Sequence, residues 1–115
     1  IDFVFAQSGF DGRNLFATGI SQGGGLTLVA ASLDRRVRAA APIVPFLGDF
    51  PDYFRLVPWP ASPVFEGAEK QHLTREAVFN LLSYFDLKNL CRRIECPVLM
   101  GFGLQDVITP PHTTR

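Results

Sequence analysis

Leu15-Phe16-Ala17-Thr18-Gly19-Ile20-Ser21-Gln22-Gly23-Gly24-Gly25-Leu26 is the stretch on which the fold turns. Residues 15–18 form a short apolar run of the kind buried on both faces of a parallel sheet, and the run ends at Gly19. After a turn at Ser21, Leu26, Leu28, Val29 and Ala30 continue as a helical segment to about Leu33, which Asp34-Arg35-Arg36 closes. A second apolar run, residues 37–44, returns as a strand. Strand, helix and strand fit within about 30 residues, the size of one βαβ unit, so the class is α/β.

Residues 1–7 read as the last turns of a helix and residues 9–12 as a turn. Between Pro42 and Gly67 six prolines interleave with Phe46, Phe50, Tyr53, Phe54, Trp59 and Phe65. Proline at that density opposes long helices and central strands. The expectation is a short helix over 47–56 and then an irregular excursion across one edge of the sheet. Thr74 is placed to cap a further helix, with Glu76 in its first turn and Val78, Leu81, Leu82 and Phe85 on one face. A last strand, residues 98–103, leads into the polar loop Leu104-Gln105-Asp106 and then Pro110-Pro111. Three strands with helices do not close a buried parallel sheet. Residues 1–115 are therefore expected to be a fragment of a single larger domain.

Composition narrows the function. The 115 residues carry 11 Lys+Arg against 11 Asp+Glu and are 47% hydrophobic. Disorder is excluded as the main state. Nucleic acid is not an expected partner, because the basic residues form only short pairs, Arg35-Arg36 and Arg92-Arg93, which read as helix ends. No membrane span is expected either: the longest apolar stretch, residues 39–48, is broken by Pro42 and Pro45, and a spanning helix needs about 20 apolar residues. Cys91 and Cys96 have neither C-x-x-C spacing nor histidine partners, so they read as reduced, partly buried thiols and no metal site is indicated.

Gly19-Ile20-Ser21-Gln22-Gly23 matches G-x-S-x-G at the point where a buried strand turns into a helix. In that setting the turn lifts a serine hydroxyl to the tip of an α/β-hydrolase sheet. A nucleophile in a strained turn crowds the residues two before and two after it, so side chains at Gly19 and Gly23 are expected to collide with neighbouring backbone. The run Gly23-Gly24-Gly25 costs a helix about 1 kcal/mol per interior glycine relative to alanine, which suggests close backbone packing. The N–H of Gln22, at the helix start, is placed to face a developing oxyanion. A glycine-rich turn with an incidental serine is the plain alternative.

In this class the acid follows the serine along the chain and the histidine follows the acid. Asp106, just after the last strand, fits the acid; its bland reading is a loop aspartate capping a turn. Asp86 is the second choice, and its position after the apolar helix face suits a cap on the next turn. His72 precedes Asp106 and so breaks the order. His112, six residues past Asp106 and after two prolines, reads as a surface-loop histidine, and the acting base is expected beyond Arg115.

Ser21-Gln22-Gly23-Gly24-Gly25-Leu26, Val44-Pro45-Phe46-Leu47, Leu82-Ser83-Tyr84-Phe85-Asp86, Asn89-Leu90, Cys96-Pro97-Val98-Leu99-Met100, Gly103-Leu104-Gln105-Asp106 and Thr109-Pro110-Pro111 together resemble the acetyl xylan esterase and cephalosporin C deacetylase family, carbohydrate esterase family seven. The resemblance runs over nearly the whole chain. It implies a partial α/β-hydrolase fold, removal of acetyl groups from xylo-oligosaccharides and related small esters, and no cofactor. It makes Ser21 the nucleophile, Asp106 the triad acid and Gln22 an oxyanion donor, with the histidine after residue 115 and a second oxyanion donor before Ile1. It also implies a cytoplasmic protein assembled as a hexamer, and a fragment inactive by itself.

Two rival readings stand beside it. One is a different α/β-hydrolase, such as a peptidase or a dienelactone-type hydrolase; the other is a catalytically inactive binding or assembly module. Tyr53, Phe54, Trp59 and Phe65 have the planar side chains that stack on sugar rings, although such a cluster more commonly forms the small core of its own segment.

Overall fold

The computed structural model describes residues 1–114. In chain order it contains α1 (Asp2–Phe5), β1 (Leu15–Ile20), α2 (Gln22–Leu33), β2 (Val37–Ile43), α3 (Phe50–Leu56), α4 (Pro58–Lys70), α5 (Arg75–Leu82) and α6 (Leu87–Leu90), with short 3-10 turns at Cys91–Arg93 and Pro111–Thr114. Among the described residues no helix is long and apolar enough to cross a membrane.

β1 and β2 run parallel, with Leu15 opposite Val37 and Ile20 opposite Ile43. The chain returns between them through α2, which packs on one face of the pair. Ala31, Val37 and Ala40 form the buried centre, against which Leu15, Ala17, Ile94 and Cys96 are packed. The side chains at the centre of this contact are small, so helix and sheet approach closely. Thr27 and Ser32, also buried on α2, return their hydroxyls to the carbonyls of Gly23 and Val29 rather than leave them unpaired.

The last expected strand is present in a modified form. Residues 98–101 lie parallel to β2, through bridges between Ala40 and Val98 and between Ile43 and Gly101. The N–H groups of Ala40 and Val44 donate to the carbonyls of Pro97 and Gly101, and those of Leu99 and Gly101 donate to Ala40 and Pro42. Midway between Ala40 and Val44 stands Pro42, which has no N–H to give. The ladder therefore has a gap at its centre, and the pairing is a pair of bridges rather than a continuous strand.

Within residues 1–114 β1 is covered on one face, by α2. Its residues alternate, and Phe16 (65% exposed) and Ile20 (64% exposed) stand on the face that α2 does not cover. Leu99 is exposed as well.

Beyond β2 the chain is more helical than its prolines suggest. Pro58 occupies the first turn of α4, where a missing N–H costs nothing. Trp59 and Pro60 leave helical geometry, and the helix then restarts, so that Pro63 again falls in a first turn. The expected irregular excursion is thus two helical pieces around a kink. Its interior is aromatic: Phe54 meets Phe65 and Phe79 at 5.6 and 6.0 Å between ring centroids, and Phe46 meets Tyr53 at 4.8 Å. Tyr53, Phe54 and Phe65 are therefore committed to this cluster, while Trp59 stands in solvent.

Thr74 caps α5 as expected, accepting from the Ala77 N–H at 3.1 Å. The apolar face does not extend to Phe85. α5 ends at Leu82, and Leu81 and Phe85 are exposed, leaving Val78 as its buried residue. Asp86 caps α6 through the Lys88 N–H and reaches further, taking the N–H of Asp49 at 2.8 Å and of Phe50 at 2.9 Å. The buried carboxylate thus joins the start of α3 to the start of α6.

The uncovered apolar face of β1 has a direct consequence. The 115-residue polypeptide on its own is expected to self-associate at micromolar concentration. Size-exclusion chromatography with light scattering checks this; a monomer that melts cooperatively would contradict it.

Candidate active site

Ser21 follows β1 directly and has φ 56° and ψ −118°, a left-handed conformation that costs a non-glycine residue about 1–3 kcal/mol. Three backbone hydrogen bonds hold it there. Its N–H donates to the Ile43 carbonyl at 3.0 Å, and its own carbonyl accepts from both Gly25 and Phe46, each at 3.0 Å. Ser21 occupies the N-cap position of α2, yet its hydroxyl caps nothing and the residue is exposed. The side chain that would ordinarily satisfy the helix start is turned outward and left available. Gln22 is the first helical residue, so its N–H has no carbonyl one turn back.

The glycines around Ser21 serve different ends. A Cβ on Gly19 would stand 2.4 Å from the Gly23 carbonyl oxygen, an impossible contact, as expected. Gly23 departs from expectation: a Cβ there has nothing within 4 Å. The crowding is one-sided because Gly23 presents its carbonyl to Gly19 while its own Cβ direction is open. The demanding positions are the next two. A Cβ on Gly24 would lie 2.8 Å from the Ile43 oxygen, and one on Gly25 would lie 1.9 Å from the Phe46 oxygen. The glycine run thus lets the start of α2 lie directly on the backbone that leaves β2.

Asp106 follows the 98–101 segment. β1, β2 and this segment are parallel neighbours in that order, so Ser21 and Asp106 emerge at the same edge of the sheet, with the outer strands roughly 10 Å apart. The Asp106 carboxylate is fixed by three donors. Oδ1 accepts from the N–H groups of Ile108 and Thr109 at 2.8 and 2.9 Å, and Oδ2 accepts the Thr109 hydroxyl at 2.8 Å. The Thr109 N–H, then its hydroxyl, then the Ile108 N–H hold its pKa below the ordinary carboxylate value. Asp106 is a poised, ionised acceptor.

The histidines do not approach it. His112 Nε2 lies 3.0 Å from Asp52 Oδ2 on α3, and His72 sits just past α4 at φ 56°, its N–H bonded to the Glu69 carbonyl. Among the described residues neither is paired with Asp106. Asp86, the second choice for the acid, is committed to the three amides of Asp49, Phe50 and Lys88. Burial raises the pKa of Cys91, keeping it a thiol. Two contributors had no role at Asp106 assigned from the sequence: Thr109, quoted there only within the Thr109-Pro110-Pro111 block, binds both carboxylate oxygens of Asp106, and Tyr53, read there only as one of an aromatic cluster, donates its hydroxyl to the Ile108 carbonyl at 2.8 Å.

A strained serine between a parallel strand and a glycine-rich helix, with a fixed aspartate two strands away at the same edge, defines an α/β-hydrolase-type protein. An acylaminoacyl peptidase is similar in fold at a TM-score of 0.73 and 16% identity, over 98% of this chain and 18% of that one. The acetyl xylan esterase (AXE1) family model matches residues 1–114, and the chain belongs to that family. It is 39% identical to acetyl esterase Axe7A of Xylanibacter ruminicola over 99% of its length. Solved acetyl xylan esterases from Paenibacillus sp. R4 and Thermoanaerobacterium sp. JW/SL YS485 superpose with TM-scores of 0.88 and 0.83 at 38% and 35% identity, each over 97% of this chain. The chain spans 25% of the length of the curated relative and 37% of each solved esterase.

The glycine contacts predict a sharp contrast in the full-length protein. Gly25→Ala is expected to lower soluble yield and the unfolding midpoint severely, whereas Gly23→Ala is expected to be neutral to mildly stabilising, by up to about 1 kcal/mol. Urea melts of the two variants check this, and equal effects would contradict it. For Asp106 the sign is that of a depressed carboxylate. Its contribution to loop stability is full above the ordinary carboxylate pKa and is lost as pH falls through the lowered value. A carbonyl-carbon NMR titration is expected to find Asp106 ionised below the ordinary range, and Thr109→Val is expected to raise its midpoint.

Proposed function

We propose that the full-length protein is a serine esterase that removes acetyl groups from small acetylated carbohydrates, xylo-oligosaccharides first among them, with cephalosporin-like acetyl esters as related substrates. The observation that carries this reading is Ser21 itself: a strained backbone held by three hydrogen bonds, and an outward hydroxyl that caps nothing. Membership of the acetyl xylan esterase family supplies the acyl group. The acetyl esterase and acetyl xylan esterases it resembles support the same choice.

This reading implies acyl transfer in two steps. A histidine from outside residues 1–115 takes the Ser21 proton as Oγ attacks the acetyl carbonyl. The carbonyl oxygen becomes an oxyanion, and the Gln22 N–H at the positive end of α2 donates to it. The histidine then protonates the sugar oxygen as its bond to the carbonyl carbon breaks, releasing the sugar hydroxyl and leaving an acetyl ester on Ser21. Water, deprotonated by the same histidine, attacks that ester, and acetate leaves as Ser21 regains its proton. Asp106 directs the histidine and stabilises its charged form, through the carboxylate that Ile108 and Thr109 hold.

Acetate release from acetylated xylo-oligosaccharides by the full-length protein is the test. Ser21→Ala is expected to lower kcat by at least about a thousandfold, and Asp106→Asn by about a hundredfold or more. The 115-residue polypeptide alone is expected to be inactive. Undiminished release by Ser21→Ala would remove the proposed nucleophile; no release by the folded wild type would redirect the reading to another acyl substrate.

A further inference from the structure

The hydrogen bond between Tyr53 and the Ile108 carbonyl bears on Asp106 more closely than its position suggests. That carbonyl belongs to the peptide joining Ile108 to Thr109, and the N–H of the same peptide donates to Asp106 Oδ1. A peptide group is planar, so a donor that fixes its oxygen also fixes the direction of its N–H. Hydrogen bonds linked through one peptide also polarise each other, which makes that N–H the stronger donor.

Side-chain packing reaches this peptide only from the Thr109 side, where the residue is 6% exposed. Val107 is 79% exposed and Ile108 is 62% exposed, so both stand away from the core. Tyr53, by contrast, is 2% exposed and closely held. Its ring packs on Phe46 and Phe54, and its N–H donates to the Asp49 carbonyl. Asp86 in turn clasps the N–H groups of Asp49 and Phe50. The same Phe46 donates its N–H to the Ser21 carbonyl. One rigid side chain therefore touches the loop behind Ser21 with its ring and the loop of Asp106 with its hydroxyl. Burial foremost, and the Asp106 carboxylate second, raise the pKa of the phenol and keep it a donor.

We propose that Tyr53 is a positioning residue for Asp106, acting by orienting the 108–109 peptide that donates to the carboxylate; this rests on the reading of Asp106 as the triad acid. Nothing in the residue pattern around Tyr53 marks it, since it reads there as one aromatic among several.

The test uses Tyr53→Phe in the full-length protein, which keeps the ring and removes the hydroxyl. The expected result is a fall in kcat of about tenfold with KM within about twofold, the scale of one lost hydrogen bond. The acidic limb of kcat/KM is expected to move to lower pH, because a poorly directed carboxylate stabilises the imidazolium less. The NMR titration midpoint of Asp106 is expected to rise. Phe79→Leu, which loosens the same aromatic cluster without touching the hydroxyl, is expected to lower the melting temperature and leave the acidic limb and the titration unmoved. An unchanged Asp106 titration in Tyr53→Phe would overturn the proposal, as would an equal shift in Phe79→Leu. Should Tyr53→Phe not fold, 3-fluorotyrosine at position 53, a stronger donor of nearly the same shape, is expected to lower the Asp106 midpoint, and no movement would overturn the proposal. If wild type and Ser21→Ala are equally inert on esters, the esterase reading fails, while the titration still decides the role of the Tyr53 contact.

Discussion

At the start of α2 two backbones approach each other so closely that the contact governs how the elbow is built. Gly24 and Gly25 lie so near the carbonyls of Ile43 and Phe46 that no side chain fits between them. The same proximity lets Ser21 reach the Ile43 carbonyl and the Phe46 N–H. Close packing and strain are two sides of one arrangement: the contact that forbids a Cβ at residues 24 and 25 supplies the bonds that hold Ser21 at positive φ. The glycines cost helix propensity locally, and the tertiary contact offsets it.

From that contact the organisation spreads in one direction. The backbone leaving β2 turns through Val44, Leu47 and Asp49, all at positive φ. Such a path needs restraint beyond local preference. Asp86 provides part of it at Asp49 and Phe50, and the aromatic cluster provides the rest by seating Phe46 against Tyr53. The proline- and phenylalanine-rich stretch is thus the scaffold that spans the elbow and the Asp106 loop, rather than an appendage of the sheet.

Much of this was legible in the residues. The strand-turn-helix around Ser21, the parallel return of residues 37–43, the caps at Thr74 and Asp86 and the loop position of Asp106 follow from periodicity, glycine placement and capping chemistry, all of them local rules. What was not legible depends on non-local contact. Gly19 and Gly23 look equivalent in the motif, and they differ only because a carbonyl has a direction that the motif does not encode. Leu81 and Phe85 share a helical face on paper, but the helix ends at Leu82. The prolines of α4 suggest irregularity until the kink at Trp59 and Pro60 turns Pro63 into a first-turn residue. Pro42 interrupts a strand pairing whose register is set 57 positions further on, at Leu99.

The strained turn at Ser21 also makes its own geometry conditional on the rest of the fold. A left-handed serine cannot nucleate structure, since its conformation is unfavourable until Ile43, Gly25 and Phe46 are all in place to bond it. The conformation of Ser21 therefore depends on β1, α2 and β2 being in place around it. Loosening the 44–49 loop would remove the Phe46 bond to the Ser21 carbonyl, and with it part of the restraint on that conformation. The geometry that sets Ser21 apart is thus a tertiary property of the fold rather than a local one of its turn.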